Sequence, residues 1–213
     1  MSDLLDALLP DDGSRGRIYG VVTALVTNNQ DDEGLGRVKL HYPWLSEENE
    51  SGWAPVAVAM GGKEMGTYFL PEVGDLVLAA FEQGDPDRPL VLGALWSKDV
   101  PPPEKNGDGK NNMRTIKSRS GHIVRLDDTD GAEKIEILDK TGKNSVVIDS
   151  KANTVTITAD KDLTISTEGG KLILKGKGVE ITSTADVKIE GSGQVDVKGG
   201  SQMNLKAGAI NIN

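Results

Sequence analysis

Eight times between Val155 and Ile212 the chain sets two aliphatic residues at positions i and i+2, separated by polar stretches that usually contain glycine. The pairs are Val155/Ile157, Leu163/Ile165, Leu172/Leu174, Val179/Ile181, Val187/Ile189, Val195/Val197, Met203/Leu205 and Ile210/Ile212. Their starting positions lie 8, 9, 7, 8, 8, 8 and 7 residues apart, a mean near eight. Residues two apart share one face of a strand, so each unit offers a two-residue apolar stripe and then a turn. A strand with so little apolar area does not support itself, and a meander of four-residue hairpins is marginal. Two arrangements remain. A single-chain solenoid needs several strands, and so a longer repeat, for each coil. In the other, three chains wind round one axis, each octad supplies one strand of a triangular prism, and the stripes meet at the centre.

Composition favours the wound trimer. All eight aromatic residues lie at or before Trp96 and all nine prolines at or before Pro103, so 104–213 contains neither. A narrow three-chain interior admits Val, Ile, Leu and Met but no ring. A continuous ladder uses every N–H, which excludes proline. At one strand spacing of about 4.8 Å per octad, eight to eleven strands make a stiff rod roughly 40–50 Å long. Its stability comes from association, so a folded monomer is not expected.

The segment before the repeat reads differently. Five candidate strands, 17–27, 35–42, 53–60, 76–82 and 90–96, are rich in β-branched or aromatic residues and bounded by Gly, Pro, Asn or Asp. Five short strands in some 80 residues predict a small barrel of the oligonucleotide/oligosaccharide-binding (OB) type. The expected organisation is therefore all-β: an N-terminal segment 1–16, a five-stranded OB-type barrel at 17–96, a linker at 97–115 stiffened by Pro101–Pro103, and a needle at 116–213. Hairpin-like pieces around Ile123/Leu126, Ile135/Ile137 and Val147 open the needle. The short amphipathic stretch 3–9, with Leu4, Leu5, Leu8 and Leu9, is too short to hold a helix alone and reads as a frayed end or a segment that orders on a partner.

Several function classes are disfavoured. There is no cysteine, hence no disulfide scaffold, thiol catalysis or zinc ribbon. No apolar run approaches the ~20 residues that span a bilayer. The start Met1-Ser2-Asp3 is acidic and does not read as a secretory signal, so synthesis in the cytoplasm is expected. The formal charge of −9 argues against a nonspecific nucleic-acid partner. Asp127–Gly131 and Asp85–Pro89 read as tight turns, because neither has the ligand spacing of a calcium loop or the cleft of an acid–base pair. Gly61-Gly62-Lys63 and Gly107–Lys110 do not fit a phosphate-binding loop. His41 and His122 stand apart with no nucleophile motif nearby. No catalytic residue, cofactor or metal ligand is expected.

Three stretches carry a family resemblance. They are Gly36–Trp44 (GRVKLHYPW), Phe69–Val77 (FLPEVGDLV) and Phe81–Gly93 (FEQGDPDRPLVLG), with Trp53 between the first two. Together they resemble the OB domain of the VgrG / phage baseplate protein V family. Thr115–Ile137, with Ser120-Gly121-His122 and Leu126–Thr129, resembles the start of that family's β-helical needle. The resemblance implies a homotrimeric spike of a contractile injection machine: a phage tail, a tailocin, an extracellular injection particle or a type VI-like system. It implies a non-enzymatic chain that joins a hub to a tip and meets the membrane only transiently, during puncture. A separate hub protein is expected at the barrel end, on Leu4, Leu5, Leu8 and Leu9. A PAAR-type tip protein is expected on Ala209, Ile210, Asn211, Ile212 and Asn213, because the His-x-His pair of self-capped spikes is missing. The eight aliphatic pairs would form the trimer core. The alternative is an OB-fold module binding nucleic acid or glycan, with Trp44, Trp53 and Tyr68 as stacking candidates, carried on a trimeric stalk. An envelope-degrading enzyme is a third reading without a carboxylate constellation behind it.

Overall fold

The computed structural model describes residues 16–45 and 50–211. Leu4, Leu5, Leu8 and Leu9 at one end, and Ile212 and Asn213 at the other, lie outside the described residues. The chain divides into two units, one running to Lys161 and one from Asp162 onward. Among the described residues every regular element is a strand except one 3-10 turn, Glu82–Gly84.

The first sheet has four antiparallel strands. They are β1 (Val22–Asn28), β2 (Lys39–His41), β5 (Leu76–Phe81) and β6 (Pro89–Ala94), in the order β2-β1-β5-β6. A small hairpin, β3 (Gly61–Gly62) with β4 (Met65–Gly66), stands between β2 and β5 in sequence. The alternation of Leu76–Phe81 sends Val77, Ala79 and Phe81 inward, as a half-buried strand requires. They meet Ala24 and Val26 of β1, Leu40 of β2 and Val91 of β6, with Val38, Tyr42 and Ala54 completing the core. The Tyr42 and Phe81 rings lie 5.6 Å apart, tilted by 51°. Pro89 opens β6, the strand position that tolerates a missing N–H. Gly93 lies at a register shift between β5 and β6, as interior strand glycines often do.

Four of the five expected strands are present in shorter form, with β1 ending one residue later, at Asn28, and β6 beginning one residue earlier, at Pro89, than expected. The fifth, 53–60, is not a strand, and no continuous five-stranded barrel is closed by the strands. The reason is local. Pro55 has no N–H to give a ladder, so this segment makes isolated bridges instead: Ala54 with Val38 and Val56 with Val91. The Ala54 N–H donates to Val38 O at 2.7 Å, and the Val91 N–H donates to Pro55 O at 2.9 Å. The segment therefore touches both edge strands without pairing continuously with either.

The second sheet is an up-and-down meander of β7 (Met113–Lys117), β8 (Ile123–Asp127), β9 (Lys134–Leu138), β10 (Ser145–Asp149) and β11 (Thr154–Thr158). All five strands have five residues and pair antiparallel with no register shift. The turn from β9 to β10 shows how the sequence dictates this. Asp139 accepts hydrogen bonds from Thr141 Oγ1 and Asn144 Nδ2, and Gly142 takes the positive φ of 71° that the reversal needs. Burial would raise the Asp139 pKa, but the bonds from Thr141 and Asn144 outweigh it and bring it down to about 2.

From Asp162 to Asn211 no residue lies in a strand. The residues expected to form a core there are not buried in the lone chain. Leu163, Ile165, Leu172, Leu174, Val179, Ile181, Val187, Ile189, Val195, Val197, Met203, Leu205 and Ile210 are all 51–72% exposed. The physical reason is the one the repeat itself supplies. A two-residue stripe has no strand of its own chain to pair with, and one chain has nothing to place against it.

Candidate functional site

The meander has two unlike faces. Residues paired across an antiparallel ladder share a face, so the register sorts every side chain. On one face, Leu126, Ile135, Ile148 and Val155 form a first row across four strands. Ile116, Val124, Ile137, Val146 and Ile157 form a second row across five. These nine aliphatic residues occupy neighbouring ladder positions. Eight are 40–66% exposed, and Val146 is half-buried. Soluble monomers rarely leave so continuous an aliphatic patch in water.

The opposite face is mixed: Asp127 and Glu136 are buried and Thr115 and Arg125 half-buried at its centre, beside Ile123, Leu138 and Val147, while Thr154, Thr156 and Thr158 in β11 are exposed. Glu104, from the stretch before β7, lies over it. Its Oε1 accepts from Thr115 Oγ1 at 2.8 Å, Arg125 Nε at 3.0 Å and Arg125 Nη2 at 2.7 Å. Arg125 also donates through Nη1 to Glu136 Oε2 at 3.3 Å, and Lys134 meets Glu136 at 3.1 Å. The Thr115 bond and the Arg125 guanidinium hold the Glu104 carboxyl below the usual carboxylate range. Burial would lower Arg125, but its partners Glu104 and Glu136 outweigh that effect and raise it. The charge network thus bridges the centre of this face and leaves the aliphatic face open.

The structure places the expected core pairs in two groups. Val155 and Ile157 stand in β11 at the end of both rows. The later pairs belong to the second unit, from Asp162 onward. In Leu163/Ile165, Leu172/Leu174, Val179/Ile181, Val187/Ile189, Val195/Val197 and Met203/Leu205 both members are exposed outside any strand in the lone chain. Ile210 is exposed in the same way, and its partner Ile212 is outside the described residues. Ala209 and Asn211, in the expected tip-binding end, are likewise exposed. Sequence reasoning missed that the pattern starts earlier. The pair in β8 is Val124/Leu126; the expected partner Ile123 faces the other side, opposite Leu138. The alternation Val124-Arg125-Leu126, repeated in Ile135-Glu136-Ile137, is the signal that finds it.

On the first sheet, the Trp53 ring lies 5.8 Å from the Arg37 guanidinium and 5.4 Å from the Lys39 ammonium. Such a ring between two cations suits a nucleobase, but both cations already have acids. Arg37 meets Asp31 at 2.7 Å and Glu33 at 3.3 Å, and Lys39 meets Glu50 at 2.8 Å. Arg37 holds the Asp31 carboxyl far below its ordinary value. Trp44 and Tyr68 are exposed, not core residues. A concavity of about 610 Å³ beside β3 and β4 is lined by Leu35, Met60, Glu64, Met65, Tyr68 and Phe69 among others. Asp127–Gly131 and Asp85–Pro89 are both turns, closed by bonds such as Ala132 N–H to Thr129 O at 2.8 Å and Arg88 N–H to Asp85 O at 3.0 Å. The His122 Nδ1 accepts the Lys140 N–H at 3.2 Å. Among the described residues no group of three His, Asp or Glu is placed to hold a metal, and no helix is long and apolar enough to cross a membrane.

Comparison with known proteins bears on the first sheet. Residues 22–96 match the family described as the type VI secretion system/phage-baseplate injector OB domain. The chain is 30% identical to the type VI secretion system spike protein VgrG1a of Pseudomonas aeruginosa over 145 residues, 61% of this chain and 23% of the relative. It is 33% identical to VgrG5 of the same organism over 139 residues, 59% of this chain and 18% of the relative. It is 29% identical to VgrG3 of Vibrio cholerae over 162 residues, 71% of this chain and 16% of the relative. The matched region therefore spans between a sixth and a quarter of these relatives' length.

Proposed function

We propose that the chain is a structural spike component of an injection apparatus, working as a homotrimer, a reading supported by the match of residues 22–96 to the type VI secretion system/phage-baseplate injector OB domain. The observation that carries this reading is the aliphatic face of the meander. Nine aliphatic side chains in two in-register rows lie on one face, eight of them exposed, while the centre of the opposite face is bridged by Glu104 and Arg125. Three copies with those faces turned inward bury what a lone chain cannot. The octads from Val155/Ile157 onward extend the same inward stripe as an intertwined triple-stranded β-helix. Ile165, Leu174, Ile181 and Leu205, exposed in one chain, are then covered by the stripes of the other two. Each chain also gains partners for strands it cannot pair alone.

In this arrangement the OB region forms the barrel at the base, against a separate hub protein that takes up Leu4, Leu5, Leu8 and Leu9. The far end, Ala209 to Asn213, seats a PAAR-type tip protein. The chain carries force and performs no chemistry. Driven by sheath contraction, it pierces the target envelope as part of a phage tail, tailocin, injection particle or type VI-like machine. Light scattering on the purified chain tests the premise. The expected mass is three times 22.6 kDa; a well-folded monomer at micromolar concentration would sink it.

A further inference from the structure

We propose that the outward faces of the octads carry an inter-chain charge ladder. In it Glu180 of one copy, Lys188 of a second and Asp196 of a third stand side by side and set the register of the trimer. This rests on the wound-trimer reading above and names the contacts through which one copy recognises the next.

The residue between the two aliphatics of a pair points to the opposite face of its strand. In the three octads beginning at Val179, Val187 and Val195 that residue is Glu180, Lys188 and Asp196, each eight positions from the last. Two residues on along the same face, after Ile189 and Val197, the same spacing gives Glu190 and Lys198. In the lone chain these side chains contact only near neighbours in sequence. Lys188 Nζ meets Glu190 Oε1 at 2.7 Å with both side chains more than 70% exposed. Gln194 Nε2 donates to Asp196 Oδ1 at 2.7 Å, and Thr182 Oγ1 donates to Glu180 Oε1 at 3.3 Å. All three contacts join residues two apart in sequence. None reaches another octad.

Winding three chains supplies the neighbours. If each octad moves on by one face and one strand spacing, octad n of one copy is flanked on its face by octads n−1 and n+1 of the other two copies. Residues in the same column then lie about 4.8 Å apart on parallel strands. Lys188 falls between a Glu180 and an Asp196 from different copies, and Glu190 falls beside Lys198. Slipped registers lose this. Pairing octad n with octad n of a neighbour sets Glu180 against Glu180 and Lys188 against Lys188. Pairing n with n+2 sets Glu180 against Asp196. Like charges facing across a ladder are destabilising. Exposed ion pairs add little stability of their own, so the ladder acts chiefly by penalising the wrong registers. The aliphatic pairs cannot do this, because every octad offers nearly the same stripe.

Cysteine cross-linking in the full-length chain tests the register, since the protein has no cysteine of its own. In the Glu180→Cys/Lys188→Cys variant the introduced thiols of different copies stand on adjacent strands, within the Cα separation of about 4.4–6.8 Å that a disulfide accepts. Mild oxidation is expected to give covalent trimer on a denaturing gel. In Glu180→Cys/Asp196→Cys the thiols are two spacings apart, beyond about 7 Å, and no link is expected. A trimeric protein that links through Glu180→Cys alone, or through the 180/196 pair, overturns the ladder and leaves the spike reading standing. A monomer overturns both. The charge argument has its own readout. Lys188→Glu is expected to weaken assembly at least tenfold at low salt. Added salt, or the swap Glu180→Lys/Lys188→Glu/Asp196→Lys, is expected to restore it. An unweakened Lys188→Glu, or a swap that does not recover, refutes the role of charge.

Discussion

Ile137 stands in the middle strand of the second aliphatic row, between Val124 and Val146. Replacing it with alanine removes three carbons, worth about 2.4 kcal/mol if they passed from full exposure to full burial. Ile137 is 51% exposed in the lone chain, so about half of that gain is still to be made on assembly. The loss is then about 1.2 kcal/mol per copy and about 3.6 kcal/mol for three copies. At about 1.4 kcal/mol per factor of ten, the trimer is expected to assemble several hundredfold more weakly. Guanidinium titrations at several protein concentrations, with mass followed by light scattering, measure this. The dissociation midpoint should move with protein concentration and fall in Ile137→Ala. Thr156→Ala is the control, because Thr156 sits in β11 on the opposite face, across from Val147. Equal midpoints for the two variants and the parent would refute the assignment of this face as the interface.

Two further outcomes follow from the charge network and the turns. Glu104→Ala leaves Arg125 without its shortest partner at 2.7 Å. It is expected to cost about 1–2 kcal/mol in chemical denaturation, discounted because Glu104 is part-exposed. Glu104→Gln is expected to recover part of this through the Thr115 bond. Acid sensitivity is the second outcome. Asp139 is held at about 2, and Glu104 and Glu50 also lie below their ordinary values. A carboxylate depressed in the folded state contributes stability that is complete above its unfolded pKa, near 4, and is lost as pH falls through the folded value. The melting temperature is therefore expected to hold above about pH 5 and drop between about pH 4 and 2. Asp139→Asn should flatten that drop, and an unchanged slope would count against the Asp139 turn as a source of it.

The divided character of the chain could be read without coordinates, and so could much of its strand content. Val77, Ala79 and Phe81 alternate with their neighbours, and the structure buries those three. The turns at Asp85–Pro89 and Asp127–Gly131 follow from local chemistry, since their side chains and backbone close on themselves within a few residues. The segment 53–60 misled because its composition is strand-like while one residue, Pro55, prevents continuous pairing. Burial of the aromatic residues was not legible in their placement before Trp96. Only Tyr42 and Phe81 are buried, and Tyr19, Tyr68, Phe69 and Trp96 are at least 67% exposed. Whether a ring is buried depends on which loops fold over it, and loops at 29–38 and 57–75 carry no periodic signal.

By itself the sequence determined the repeat, the absence of rings and proline within it, and the likeness to an injector OB domain. These are local or statistical properties: two aliphatics at i and i+2 share a face wherever the strand sits. Only the tertiary structure decided which face of the meander is bridged at its centre. The choice depends on cross-strand register, which brings Thr115, Arg125 and Glu136 under Glu104 and leaves Val124, Leu126, Ile135 and Ile137 uncovered. Register is a long-range quantity, fixed by four turns acting together, and a slip of one residue would have exchanged the two faces.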